Sequence, residues 1–322
     1  MKPSMKKTLW TAAALLAATL PAHAGVSIDR TSPSIGGCGF VVTPAHVYRL
    51  VPPGGGCDVG GAGPQVEVRP PSYGLGAMDN IDAVSANTAT SPKLRYYLVF
   101  SGDRASVGQA GTPFSVEAAG NQAASDLFRT LLTTGSPAAA MGGGGICGAA
   151  SAVPPPHFLH RNQTDFNLIR SVTAGVIQDN IDGIELDVLD ITPDQFHDFD
   201  TYLSLDAASP ALGGGSPAMI FFAPVGAGAI FAYAFPGQLG LMFADDIDSL
   251  VVWDRGVLGV ADPALDIVLF SLAPGSPTLA AIGGSPADIF VSNLTGAFCL
   301  YVPFNQLGLL PADNVDGLDV IH

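Results

Sequence analysis

A short acidic motif occurs four times along the 322-residue chain, and this repetition constrains the fold more than any other feature. Each copy follows a Gly-rich or Gly-Leu stretch and begins a short run of apolar residues. Four copies of one unit predict an architecture in which each unit buries its apolar face against its neighbours. The copies are Asp79–Asp82, Asp179–Asp182, Asp245–Asp248 and Asp313–Asp316, with the sequences DNID, DNID, DDID and DNVD.

The spacing of the copies predicts one domain with one insertion. The motif advances by 66 residues from Asp179 to Asp245 and by 68 from Asp245 to Asp313, but by 100 from Asp79 to Asp179. The longer step contains a stretch rich in Gly, Ala and Pro at about 130–156. We interpret this stretch as a loop insertion in the second blade of a single domain that spans residues 25–322.

Each unit contains four runs typical of β-strands. In the last unit they are Asp288–Ser292, Ala297–Pro303, Asn314–Ile321 and a run of the Ile267–Leu272 type, all bounded by Gly, Pro, Asn or Asp. No stretch has a convincing helical period. Four strands in each of four units predict an all-β fold, a four-bladed β-propeller with about four strands per blade.

The two ends of the chain predict how this ring closes. The chain stops at His322 before a fourth strand, whereas Val26–Asp29 forms a lone copy of that strand at the other end. We expect the N-terminal strand to join the last blade as its outer strand. Such closure would remove the open sheet edges that favour aggregation.

The predicted architecture resembles the hemopexin-like propellers. The resemblance lies in four blades, closure by the chain ends and an inner strand with the sequence Ala-Asp-Ile-Phe at Ala287–Phe290. His46 and Met219 stand in place of this Asp in other units, and the blades are longer, so the resemblance implies a fold and no ligand. The repeats are also similar to those of uncharacterised secreted bacterial proteins.

The first 24 residues predict export. Three lysines precede the apolar stretch Leu9–Leu20, and Ala22-His23-Ala24 matches a signal-peptidase site. We expect cleavage after Ala24, no transmembrane segment in the mature chain, and a secreted or periplasmic location. Cleavage removes three lysines and no acidic residue, so the formal charge falls from −15 to −18. Such a charge repels nucleic acid and attracts cations.

Four cysteines, Cys38, Cys57, Cys147 and Cys299, allow three disulfide connectivities. We favour Cys38–Cys57, because both lie in Gly-rich loop sequence within one unit. The spacing matches no zinc pattern.

The second Asp of each motif is the main candidate for chemistry. It shares the parity of the apolar residues that follow, so in a strand it points into packed sheet, where a carboxylate needs hydrogen bonds or a cation. In one interpretation it accepts backbone N–H groups of a turn. In the other the motifs bind calcium, with both Asp residues, the Asn and backbone carbonyls as ligands. The candidate metal ligands are Asp79, Asp82, Asp179, Asp182, Asp245, Asp248, Asp313 and Asp316.

Three further groups are weaker candidates. Propeller topology predicts Asp126 and Asp288 on the same face as the motifs, so that this ring mouth should be acidic. His157 and His160 could share a metal only if their segment turned helically. A second acidic cluster predicts a solvated loop or a surface cation site; it contains Asp187, Asp190, Asp194, His197, Asp198 and Asp200.

Two function classes remain open from the sequence. One is an exported, non-enzymatic binding or scaffold protein, a monomer with an extracellular ligand or protein partner. The other is an extracellular hydrolase or lyase that uses carboxylates at the ring mouth. The recurrence of one carboxylate per blade favours the first class, because catalysis needs unlike groups in one place. No G-x-S-x-G sequence or P-loop occurs.

Overall fold

The computed structural model describes residues 24–33, 47–49, 65–68, 75–76, 79–87, 96–132, 157–170, 177–186, 199–263 and 265–320. Over these residues the chain is mostly β, with four antiparallel sheets of four strands and a few short helices. The predicted all-β class is confirmed at this level. Among the described residues, no helix is both long enough and apolar enough to cross a bilayer.

The described strands follow one another along the chain with short helices between some of them. The strands are β1 (Ala24–Ile28), β2 (Val47–Arg49), β3 (Gln65–Val68), β4 (Ile81–Asn87), β5 (Tyr96–Gly102), β6 (Leu127–Leu132), β7 (His157–Arg161), β8 (Ile181–Leu186), β9 (Thr201–Leu205), β10 (Ile220–Ala223), β11 (Phe231–Ala234), β12 (Ile247–Trp253), β13 (Ile267–Leu272), β14 (Ile289–Ser292), β15 (Phe298–Val302) and β16 (Val315–Val320). The helices are α1 (Pro113–Ala119), α2 (Gln163–Phe166), α3 (Pro236–Leu239) and α4 (Pro277–Ile282).

We number the sheets by the Asp motif that precedes their first strand. Sheet 1 contains β4 to β7, sheet 2 contains β8 to β11 and sheet 3 contains β12 to β15, each in chain order. Sheet 4 has the order β16-β1-β2-β3, so it combines both ends of the described chain. Ala24 pairs with Val320 and Ile28 with Val315, and the N-terminal strand therefore completes the C-terminal sheet.

The position of two strand types differs from the prediction. β1 is the second strand of its sheet and not the outer one, because β2 and β3 follow it. The run Ala287–Phe290, predicted as an inner strand, leads into β14, the third strand of sheet 3. The predicted positions of these strands along the chain were right, but their assignment to sheets was wrong. Each sheet begins with the strand after an Asp motif, so β16 is the first strand of sheet 4 and not the last strand of sheet 3.

The insertion and the chain ends are described only in part. The predicted insertion at 130–156 overlaps the end of β6 at Thr130–Leu132 and stops just before β7, which begins at His157. Residues 133–156 lie outside the described residues. Cys38, Cys57 and Cys147 lie outside the described residues, as does most of the segment predicted as a signal peptide. Cys299 is an exposed free thiol on β15.

The first strands of the four sheets pack against one another. β4 contacts β8 and β16, and β12 contacts the same two strands, so each first strand touches those of both neighbouring sheets. Small residues permit this approach: a Cβ added at Gly183 of β8 would lie 2.8 Å from the Leu250 Cβ of β12. At Gly317 of β16 it would lie 2.7 Å from Val84 Cγ1 of β4.

Apolar layers fill the space between neighbouring sheets. Leu203 and Phe221 of sheet 2 pack with Val99 of sheet 1, and Phe222 packs with Phe270 of sheet 3. Fully burying side chains of this size stabilises the fold by about 1.5–3 kcal/mol each. The packing holds the Asp motifs together at one end of the four first strands, where the candidate site lies.

Candidate functional site

The first Asp of each motif is buried and accepts backbone N–H groups. All four are at most 1% exposed. Asp245, for example, accepts from Met242 N at 2.6 Å and from Thr278 N at 2.8 Å. The acceptor thus joins the loop before the first strand to the segment after the second strand. The other amide donors are Gly76, Val107 and Gly108 to Asp79, Ile169 and Ala211 to Asp179, and Leu310 to Asp313.

A serine hydroxyl makes two hydrogen bonds to the backbone of the second residue of every motif, and we call this pair of bonds the serine clasp. Ser209 Oγ accepts from Asn180 N at 2.9 Å and donates to Asn180 O at 3.3 Å. The same pair of bonds repeats in each sheet. The serines are Ser106 on Asn80, Ser209 on Asn180, Ser276 on Asp246 and Ser32 on Asn314. Because Ser32 and Asn314 lie near opposite ends of the chain, this clasp also holds sheet 4 together.

The second Asp of the motifs binds asparagine side chains. Asn180 Nδ2 donates to Asp182 Oδ1 at 2.6 Å and to Asp82 Oδ2 at 2.8 Å. It therefore bridges the carboxylates of sheets 1 and 2. This arrangement corrects one prediction: the Asp that accepts turn amides is the first of the motif, whereas the second accepts amide side chains.

The same bridge occurs at two further contacts between sheets. Asn80 Nδ2 donates to Asp82 at 2.6 Å and to Asp316 at 2.9 Å. Asn314 Nδ2 donates to Asp316 at 2.6 Å, and Asn314 also hydrogen-bonds Asp248. We call the eight side chains at the second and fourth motif positions the belt. The second position holds Asn or Asp, and the fourth holds Asp. Each place where the belt side chains of two neighbouring sheets meet is a junction, so Asn180 lies at the 1–2 junction.

The 2–3 junction differs from the other three. Asp246 occupies the position of the bridging Asn, between Asp182 of sheet 2 and Asp248 of sheet 3. A carboxylate has no N–H to donate. Asp246 Oδ1 and Asp248 Oδ2 are both buried without a hydrogen-bond partner.

A fourth carboxyl group joins this junction. Asp206, which follows β9, offers an oxygen within 4.8 Å of oxygens of Asp182 and Asp246. Arg104 of sheet 1 forms an ion pair with Asp206 at 2.7 Å and donates to Gln178 O. The charge of Arg104 also acts on Asp246, where it opposes the rise in pKa. The sequence prediction included Asp182 and Asp248 but did not single out Asp206, and it treated Asp246 as equivalent to Asn.

Burial raises the pKa of the belt carboxyl groups. It raises the pKa of Asp82 to about 7, although the bonds from Asn180 and Asn80 oppose the rise. Burial, followed by the charge of Asp206, raises the pKa of Asp246 to about 7. Burial and the charges of Asp246 and Asp248 raise the pKa of Asp182 well above its usual range.

The parity argument predicted that the second Asp is buried. Asp82, Asp182 and Asp316 are at most 8% exposed, which agrees with it. Asp248 retains some exposed surface. Every residue of β8 is buried, so both faces of this strand are covered and parity alone could not have distinguished them.

The other candidates have structural partners or lie outside the described residues. Asp288 accepts from Ser285 N and Phe304 N, and Asp126 accepts from Gln163 N. His157 and His160 lie on the extended strand β7, so their segment lacks the helical turn that a shared metal required. Of the second acidic cluster only Asp200 is described, and it accepts from Val225 N.

Comparison of the chain with protein-family models, with curated proteins and with solved structures found no significant match in any of the three. The geometry of the belt is therefore the basis for the functional argument.

Proposed function

We propose that the chain is a four-bladed propeller in which the four sheets are the blades. The cyclic contacts among β4, β8, β12 and β16 support this arrangement, since such contacts are expected of strands that line a common axis. The pairing of β1 with β16 supports closure of the ring by the two ends of the chain.

We further propose that the protein is an exported, monomeric, non-enzymatic binding or scaffold protein. The observation that carries this proposal is that the motif carboxylates are used in the same structural way in sheet after sheet. The first Asp holds loop amides, and the second Asp holds bridging side chains at three of the four junctions. Groups bound in this way stabilise a rigid support for a recognition surface. Export rests on the sequence pattern of residues 1–24.

The recognition surface that we favour is the end of the sheets at which the motifs lie. Antiparallel pairing places the loop before each first strand at this end, together with the loop after each second strand. These loops present exposed apolar side chains beside acidic groups. The apolar residues are Val107, Ile177, Met242, Phe243, Ile282 and Leu310. Exposed apolar patches rimmed by polar residues mark interaction sites.

One observation favours the enzymatic alternative. Asp246 is the single unlike group in the belt, and a carboxyl group with a pKa of about 7 suits general acid–base catalysis near neutral pH. A hydrolase or lyase acting on an extracellular polymer would use it with Asp182 or Asp206.

A retention assay that also measures turnover separates the two functions. Purified mature protein is incubated with insoluble chitin, cellulose, xylan and peptidoglycan, and bound protein and released products are both measured. We expect retention on one polymer without product. Release of product that is lost in Asp246→Asn would favour the enzyme instead.

A matched pair of variants tests the proposed surface. Phe243 is 64% exposed at the motif end, and Val260 is 57% exposed in the loop between β12 and β13 at the opposite end. Phe243→Asp should abolish retention, whereas Val260→Asp should leave it unchanged. Equal retention by both variants would contradict the assignment of the motif end.

A further inference from the structure

The 2–3 junction lacks the hydrogen-bond donor that the other three junctions contain. At those junctions one Asn amide places two N–H groups between two carboxylates. At the 2–3 junction the equivalent atoms belong to Asp246. After burial, the negative charges of Asp246 and Asp248 are the causes that raise the pKa of Asp182 most.

The spacing of these oxygens suits one metal ion. One oxygen from each of Asp182, Asp206 and Asp246 lies within 4.8 Å of the others. Calcium binds oxygen at about 2.3–2.6 Å, so two ligands of one ion lie no more than about 5 Å apart. A set of carboxylate oxygens without nitrogen or sulfur favours a hard cation.

Unpartnered buried oxygens give a second and independent indication of a ligand. Asp246 Oδ1 and Asp248 Oδ2 are buried and accept no hydrogen bond. The equivalent Oδ1 atoms of Asn80, Asn180 and Asn314 are also buried without a partner, so the feature particular to the 2–3 junction is Asp248 Oδ2, whose carboxyl group lies outside the set of three. Buried polar oxygens without partners destabilise a fold, and a cation at this junction would satisfy several of them at once.

The junction combines four acidic side chains with one paired cationic side chain. Among the described residues, the guanidinium of Arg104 is paired with Asp206 and its charge also acts on Asp246. A second ion pair joins Arg30 to Asp103, at the junction of sheets 4 and 1. The residue of sheet 2 that follows Asp206 is Ala207, where sheets 4 and 1 have Arg30 and Arg104.

We propose that one calcium ion binds at the 2–3 junction, with Asp182, Asp206 and Asp246 as its ligands and Asp248 against it. The ion takes the place of the bridging Asn amide and joins sheet 2 to sheet 3. The motif carboxylates at the other junctions bind no metal, because Asn side chains already satisfy them. This proposal does not rest on the binding role proposed above, since the ion stabilises the support and not the ligand.

Calcium titration of the metal-free mature protein tests the proposal. Protein stripped with EDTA and dialysed is titrated with CaCl2 by calorimetry, and the bound calcium is counted by elemental analysis. We expect one calcium per chain. Wild-type protein that binds no calcium at millimolar CaCl2 would overturn the proposal, because protonation alone would then neutralise the carboxylates at the junction.

Two isosteric variants localise the ion. Asp246→Asn restores the residue of the other three motifs and should weaken calcium binding at least tenfold. Asp103→Asn is the control, because Asp103 is the sheet 1 equivalent of Asp206 and pairs with Arg30 beside an intact Asn bridge. It should bind calcium as the wild type does. Unchanged calcium affinity in Asp246→Asn would overturn the assigned site.

Thermal melting keeps the test valid if one variant folds poorly. Calcium should raise the melting temperature of the wild type and of Asp103→Asn but not that of Asp246→Asn, since a ligand stabilises only the state that binds it. Asp206→Asn, at a partly exposed position, is the second variant and should lose at least tenfold in affinity. Full calcium binding by Asp206→Asn would contradict its role as a ligand.

Discussion

The 1–2 and 2–3 junctions share a backbone and differ in one side-chain group. At the 1–2 junction Asn180 is clasped by Ser209 and bridges Asp82 to Asp182. At the 2–3 junction Asp246 is clasped by Ser276 in the same way but faces Asp182 and Asp248 with a carboxyl group. The difference teaches that the Asp and Ser positions of the repeat determine the backbone, whereas the second motif position determines the local chemistry.

The largest expected effect tests how closely strands approach at the 2–3 junction. Ala83 of β4 and Gly183 of β8 occupy the same position after their motifs, at the 1–2 and 2–3 junctions respectively. A Cβ added at Gly183 would lie 2.6 Å from Ser204 Oγ and 3.1 Å from the backbone N of Leu250. Gly183→Ala should therefore lower the free energy of unfolding by about 2–3 kcal/mol, measured by urea denaturation. Gly237→Ala, where a Cβ meets nothing within 4 Å, is the control. A Gly183→Ala protein as stable as this control would show that the strands lie farther apart.

Converting the 1–2 junction into an acidic one sharpens the comparison directly. Asn180→Asp removes the donor between Asp82 and Asp182 and should cost about 1–3 kcal/mol in EDTA at pH 7.5, because buried acceptors lose their partner. The control is Asn305→Asp, an exposed position, which should change the unfolding free energy by less than about 0.5 kcal/mol. If both variants unfold at the same urea concentration, the Asn bridge contributes nothing to stability.

The carboxyl group of Asp82 makes stability depend on pH. Its pKa is raised from 3.8 to about 7 in the folded protein, so the folded state binds a proton that the unfolded state has released. Stability from this group is therefore fully present below about pH 4 and is lost as pH rises through about 7. Urea midpoints of the EDTA-treated protein should fall between pH 5 and pH 8. Asp82→Asn should show a smaller fall, whatever its absolute stability, and an unchanged slope would contradict the shift.

The smallest expected effect compares the serine clasps of the two junctions. Ser209→Ala and Ser276→Ala each remove the two hydrogen bonds to the second motif residue, and each should cost about 1 kcal/mol. Ser209→Ala also removes the acceptor of a 3.4 Å bond from Arg104 Nη2. Ser209 accepts at 2.9 Å, whereas Ser276 accepts at 3.1 Å, so we expect the loss at Ser276 to be slightly smaller. Thermal melts in calcium-free buffer measure both. A much larger loss at Ser276 would mean that the 2–3 junction depends more on its clasp than on the charges around it.

Much of the fold could be predicted because residues close together in the sequence indicate each strand of the repeat. Turn residues and runs of β-branched and apolar residues located β13 to β16 within one or two residues of their observed bounds. The assignment of strands to sheets was less accurate, since a repeat has no intrinsic start. Only the hydrogen bonds show that Val315–Val320 begins a sheet that β1 continues.

The candidate site could be predicted only in part. The four motifs indicated the eight acidic positions, and the fourth motif position was correctly predicted to be buried in three cases. The role of Asp206 was missed because it lies 40 residues before Asp246 and carries no motif of its own. The one available signal was the DDID sequence itself, in which Asp246 departs from the Asn of its three counterparts.

By itself the sequence determined the number of repeats, the local strand pattern and the presence of an acid at every junction, because these depend on residue type and short-range periodicity. The tertiary structure decided which atoms meet. Asn180 reaches Asp82 across 98 positions, and Asp246 reaches Asp182 across 64, only because four first strands pack at the same end. Whether a buried carboxylate faces an amide or another carboxylate depends on that packing, and this distinction sets the chemistry of the 2–3 junction.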